Sequence, residues 1–177
     1  VDFRKLAART TDEGGVPRTG PMNRILVSQF ETAQGRGTSS GGDIVGNFLC
    51  DPPACTYQYS GRLQPYSVYV PDKPRPADGF GLVLNLHGAS SNHNHFENGS
   101  TEGPLSVWRM LAEEGHPSVM VLPNARGGTY CYHGMAGADP FEAWADVAAR
   151  LELDPDHALL TGSSMGGYGT YKLAAQF

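Results

Sequence analysis

The sequence predicts an α/β protein with a mostly parallel sheet covered by helices on both faces. Three observations predict it. Short, largely apolar runs such as Gly81–Leu86 and Ser118–Leu122 read as buried strands. Between them lie helical patterns of ten or more residues, the alternation that builds parallel sheets. The last such strand, His157–Thr161, runs into Gly162-Ser163-Ser164-Met165-Gly166, a glycine-flanked serine at a strand-to-helix junction.

Residues 1–55 lack sustained periodicity and read as an N-terminal extension or the end of a preceding domain; residues 56–177 carry the regular pattern. Within the first region only Arg24–Phe30 looks like a strand or short helix, and Gly35–Gly42 is a flexible loop by composition. Cys50 and Cys55 flank Asp51-Pro52-Pro53-Ala54, a stiff turn that can bring the two sulfurs together. A small-loop disulfide there favours a secreted protein, whereas a metal site is disfavoured because no second Cys/His pair sits at finger spacing. Cys131 is left as a buried free thiol or as the partner of a cysteine outside this chain.

From residue 56 onward, Tyr57–Tyr59 and Tyr66–Val70 around the Ser60-Gly61 turn predict a hairpin. Pro71 ends it. Strand 81–86 follows, then a helix over 101–114, strand 118–122 closed by Pro123, and an amphipathic helix over 140–151. That helix sets Phe141, Trp144, Val147 and Leu151 on one face, so Phe141 and Trp144 read as core. The final helix runs from Met165 to about Gln176.

Composition excludes several classes of function. Net charge is −5 and no Lys/Arg run exists, so the electrostatic footprint of a nucleic-acid binder is absent. No apolar run reaches the roughly 18 residues of a membrane span. The chain opens on Val1, which fits a processed mature protein or a fragment.

The chemistry concentrates at two places. The elbow turn projects Ser164 clear of the backbone as a nucleophile, and the centre of G-x-S-x-G favours it over Ser163. Leu86-His87-Gly88-Ala89-Ser90 closes the 81–86 strand. In a serine hydrolase the loop after this strand supplies one backbone N–H of the oxyanion hole, and the residue after the nucleophile supplies the other. Here those are Ala89 and Met165. Covalent catalysis with backbone stabilisation implies no cofactor and no metal.

The order strand, Leu-His-Gly, helix, strand, Leu-Pro-Asn, helix, strand, Gly-Ser-Ser-Met-Gly-Gly resembles the first half of an α/β-hydrolase. It is most similar to the esterase branch of polyhydroxybutyrate-depolymerase-like and feruloyl-esterase-like enzymes, near the prolyl-oligopeptidase-type peptidases. The resemblance covers about residues 56–177. It implies a serine esterase with Ser164 as nucleophile and Ala89 and Met165 as oxyanion donors. It also implies that His87 is structural, and that the catalytic acid and histidine follow on later strands. The expected partner is therefore a C-terminal half of the same domain, a segment or second chain following Phe177. Without it, Ala158–Leu160 become an exposed apolar edge and Ser164 keeps an unactivated hydroxyl.

The other histidines read differently. His93 and His95, two apart in a polar loop, fit a solvated or substrate-facing surface better than a metal pair. His116 and His157 sit at element edges and read as structural. Ser90, Tyr130, Tyr132 and His133 lie on loops at the carboxyl end of the sheet, where ligands bind in open α/β folds, and are candidate substrate-binding residues. The alternatives to an esterase are a peptidase of the related branch and a non-catalytic binding module that keeps the fold.

Overall fold

In a computed structural model, described for residues 3–8, 10, 14–30, 62–89, 91–94, 110, 112–127 and 131–176, one five-stranded sheet organises the chain. Its strands are β1 (Gly20–Val27), β2 (Leu63–Val70), β3 (Phe80–Leu86), β4 (Ser118–Pro123) and β5 (Leu153–Gly162). The helices with defined bounds are α1 (Phe3–Ala7), α2 (Met135–Ala148) and α3 (Met165–Ala174). Strand order is β1-β2-β4-β3-β5.

The α/β class holds, but the sheet is mixed rather than mostly parallel. β3 runs parallel to β4 and to β5, whereas β2 is antiparallel to both β1 and β4. The parallel pairs are the ones joined by long connections; α2 makes the crossover from β4 to β5.

β2 also finds a different partner from the expected hairpin. Tyr57–Tyr59 lie outside the described residues, and β2 pairs instead with β1, from Gly20↔Val70 to Val27↔Leu63. Gly20–Val27 is thus an edge strand of the main sheet among the described residues. Its polar positions Asn23 and Arg24 break the apolar run, because an edge strand is buried on one side only. The helix expected from Pro140 begins a turn earlier, at Met135, with Pro140 inside it. Pro140 falls in the second turn, where its missing N–H removes one hydrogen bond from the helix ladder.

β5 is longer than expected. Phe80 pairs with Leu153 but Leu82 with Ala158, so Asp154-Pro155-Asp156-His157 bulges out of the ladder. Pro155, which cannot donate to a ladder, sits in that bulge.

Leu82, Leu84, Val119 and Val121 pack with Tyr66, Val68, Ala143 and Val147 beneath α2. Each buried leucine or valine among them contributes roughly 2 kcal/mol by leaving water. Trp144 packs against this cluster as expected of a core residue, and Phe141 against a second one of Leu86, Ala125, Tyr132, Ala136, Met165 and Leu173. On the opposite face Tyr69, Met120 and Leu122 meet Ala112, from the segment expected to be helical; Met110, Ala112 and Glu113 are helical. Among the described residues, no helix is long and apolar enough to cross a membrane.

Candidate functional site

At the carboxyl end of the parallel strands, β5 turns into α3 through Ser163 and Ser164. Ser164 has φ 54° and ψ −118°, backbone that a residue with a Cβ adopts only under strain, of order 1–3 kcal/mol. Its neighbours explain how the turn closes. A Cβ on Gly162 would stand 2.6 Å from the Gly166 backbone, and one on Gly166 would collide with the carbonyl oxygen of Leu86. Both glycines are therefore sterically required, and at Gly166 the helix α3 meets β3 backbone to backbone. Ser163 is also exposed, but its carbonyl accepts the Gly166 N–H at 2.8 Å and the left-handed strain falls on Ser164. Ser164 is exposed, and its hydroxyl has no hydrogen-bond partner among the described residues.

The loop after β3 lies against this turn. A Cβ on Gly88 would approach the Ser164 Cβ to 3.6 Å and the Ser163 carbonyl oxygen to 3.5 Å. Ala89 follows, exposed, and Met165 opens α3. Neither N–H has an acceptor among the described residues. Met165 also carries the positive end of the helix dipole, which favours negative charge at that point.

His87 is buried. Its Nδ1 lies 2.8 Å from the Gly88 carbonyl oxygen and its Nε2 2.9 Å from that of Asn124. With each ring nitrogen beside a backbone carbonyl oxygen, it braces the loop. Asn124 extends the brace, its Oδ1 lying 3.1 Å from Nδ1 of His93.

The candidate substrate-binding residues separate. Ser90 and Tyr130 lie outside the described residues, as do Cys50, Cys55 and His95. Tyr132, expected at a pocket wall, is instead packed into the core among the described residues. It is fully buried, its hydroxyl donates to the His87 carbonyl at 3.0 Å, and its ring fills the space over Gly169. Burial raises its phenol far above the ordinary range. A sequence shows that a tyrosine follows a strand, not that a small helix residue opposite admits its ring. His133 stays partly exposed and meets Tyr168, whose hydroxyl lies 3.2 Å from His133 Nε2. Burial, then the charge of Lys172, holds its imidazole below the ordinary range. Tyr168 was not anticipated, yet its N–H donates to the Ser164 carbonyl at 3.0 Å, so the pair sits one helical turn from the serine. The spacing of Ser164 and Tyr168, four apart at a helix start, is the sequence feature that marks it.

Beneath the site runs a buried charged network that the sequence did not reveal. Arg126 bonds Ser28 and reaches Glu142 at 3.2 Å, and its Nε faces Asp139 Oδ1 at 3.6 Å. Ser28 donates to Glu142 at 2.6 Å, and Asp139 accepts the Ala125 N–H at 2.7 Å. Burial pushes Asp139 up to about 7, against the opposing pull of Arg126 and of that N–H. The network fastens the loop after β4, which holds the positive-φ residues Ala125 and Arg126, to α2. Cys131 is half-buried, and burial raises its thiol above the ordinary range.

No family profile matches the chain, and no curated protein matches it. Among solved structures it is similar to S-formylglutathione hydrolase (FrmB) from Staphylococcus aureus, in the apoenzyme form. Identity is 25% and the TM-score 0.48, over 68% of this chain and 50% of that one. The chain spans about half the length of that enzyme.

Proposed function

We propose that the protein is a serine hydrolase that cleaves carboxylic esters through an acyl-enzyme on Ser164. The observation that carries this is the strained, exposed backbone of Ser164 between two glycines that tolerate no side chain. A strained residue persists only where the surroundings over-determine it, and such residues cluster at functional sites.

The steps follow from the geometry. Ser164 Oγ attacks the ester carbonyl as a base accepts its proton, and the carbonyl oxygen becomes an oxyanion. The N–H groups of Ala89 and Met165 stabilise that charge. Collapse expels the alcohol, protonated by the same base, and water then cleaves the acyl–serine bond to release the acid. His133 and Tyr168 form a rim that contacts substrate.

The base and its acid come from a segment or second chain following Phe177. Two features support this. Ser164 has no hydrogen-bonded histidine among the described residues, and both ring nitrogens of His87 face backbone carbonyl oxygens. Among the described residues β5 is also the outermost strand on its side of the sheet, with Ala158 and Leu159 exposed. The test is hydrolysis by the full-length protein of a short-chain nitrophenyl ester beside a peptide nitroanilide. The ester should be cleaved and the anilide spared. Cleavage of the anilide would favour a peptidase, and cleavage of neither a binding module.

A further inference from the structure

Two loops meet beneath Ser164. One follows β3 and carries His87, Gly88 and Ala89; the other follows β4 and opens on Asn124 and Ala125. A single peptide group, the one joining Asn124 to Ala125, stands between a carboxyl of α2 and the first loop. Its N–H donates to Asp139 Oδ2 at 2.7 Å, and its carbonyl oxygen lies 2.9 Å from His87 Nε2. A carbonyl oxygen only accepts, so this contact is a hydrogen bond with the proton on Nε2. Asp139, Asn124 and His87 are all buried. The Asn124 side chain reaches the same loop further on, its Oδ1 lying 3.1 Å from His93 Nδ1. Asn124 therefore holds the chain on both sides of Ala89, at His87 through its backbone and at His93 through its side chain. Tyr132 adds a third point, its hydroxyl donating to the His87 carbonyl at 3.0 Å.

We propose that Asp139 and Asn124 are positioning residues for the oxyanion N–H of Ala89, with Asp139 acting on His87 through the Asn124–Ala125 peptide. The proposal rests on the reading of Ser164 as the nucleophile. Hydrogen bonds in series polarise one another, so a carboxyl on the peptide N–H makes the peptide oxygen a stronger acceptor for the imidazole. The chain of bonds ends two residues before Ala89. Between them Gly88 lies against the nucleophile turn, where a Cβ would stand 3.6 Å from the Ser164 Cβ. An oxyanion donor is effective at about 2.7–3.1 Å from the developing charge, so a small displacement of Ala89 weakens the transition state and spares the bound substrate. Neither Asp139 nor Asn124 touches the reacting atoms. Glu142, on the same helix as Asp139, meets the buried network at Arg126 and Ser28 instead.

The test is hydrolysis of a short-chain nitrophenyl ester by the full-length protein, beside inhibition by an alkylboronic acid. The tetrahedral boronate on Ser164 presents an oxygen to Ala89 and Met165 as the oxyanion does. Asp139→Asn turns an NH2 group toward either Arg126 or the Ala125 N–H, donor against donor. It should lower kcat per folded molecule by about 10-fold with KM unchanged, and raise the boronate Ki by the same factor. Asn124→Ala should do the same, and Glu142→Gln should leave kcat and Ki unchanged. In the unliganded protein the His87 ring should carry its proton on Nε2, and its nitrogen resonances should move in Asp139→Asn and stay in Glu142→Gln. An equal loss in Glu142→Gln, or His87 resonances indifferent to Asp139→Asn, would overturn the proposal. A native protein that cleaves no ester overturns the hydrolase reading and the proposal with it. An active protein whose kcat and Ki ignore Asp139→Asn overturns the proposal alone.

Discussion

The carbonyl oxygen of Leu86 occupies the space that a side chain on Gly166 would need. That contact presses the strand carrying the oxyanion loop against the helix carrying the serine, with no side chain between them. It sets how closely the loop carrying Ala89 approaches the helix start carrying Ser164 and Met165.

Gly166→Ala should therefore destabilise the fold, by about 1–3 kcal/mol as overpacking does, and should depress ester hydrolysis beyond the loss of folded protein. Urea unfolding measures the first effect. Initial rates at a temperature where both proteins remain folded measure the second.

Strain at Ser164 makes the opposite prediction for its replacement by glycine. Ser164→Gly should raise stability by about 1 kcal/mol, because glycine accepts φ 54° at little cost, while abolishing hydrolysis. Ser164→Ala should lose activity equally, by about 10⁴–10⁶-fold, without the gain in Tm. Paired melting curves of the two variants separate relief of strain from loss of the hydroxyl.

Asp139 makes stability depend on pH. Its folded pKa is raised to about 7 from an ordinary 3.8, so the unfolded chain gives up this proton first as pH rises. The folded state then binds more protons, and stability falls across the window from about 4 to 7. Arg126, Glu142 and the Ala125 N–H face the carboxyl and stay in place in Asp139→Asn. That variant should flatten the decline in urea midpoint across this window.

Breaking the same network from the cationic side should cost more. Arg126→Met leaves the partly buried Glu142 without its counter-charge and Asp139 without the guanidinium beside it, a loss of roughly 3 kcal/mol in urea unfolding.

The parts of the fold legible in the sequence are those set by local sterics and continuous burial. Gly162, Ser164 and Gly166 could be read because a turn this tight excludes side chains at fixed spacing, and Val119–Leu122 because a strand buried on both faces is apolar throughout. β1 was half legible: an edge strand shows its period on one face only, and its partner β2 lies beyond a long intervening segment. Asp139 and Glu142 carry no mark of their pairing in the sequence, since only the folded arrangement brings Arg126 and Ser28 to them. Tyr132 carried no mark of its burial, which depends on Gly137 and Gly169 making room. His116 and His157 read as separate edge residues because the bulge that joins them is a matter of strand register.

The most direct measurement of the central claim is fluorophosphonate labelling of the full-length protein, followed by peptide mass mapping. Labelling should be stoichiometric, should fall on Ser164 rather than Ser163, and should vanish in Ser164→Ala. No labelling of the native protein, or a label on any residue other than Ser164, would contradict the account.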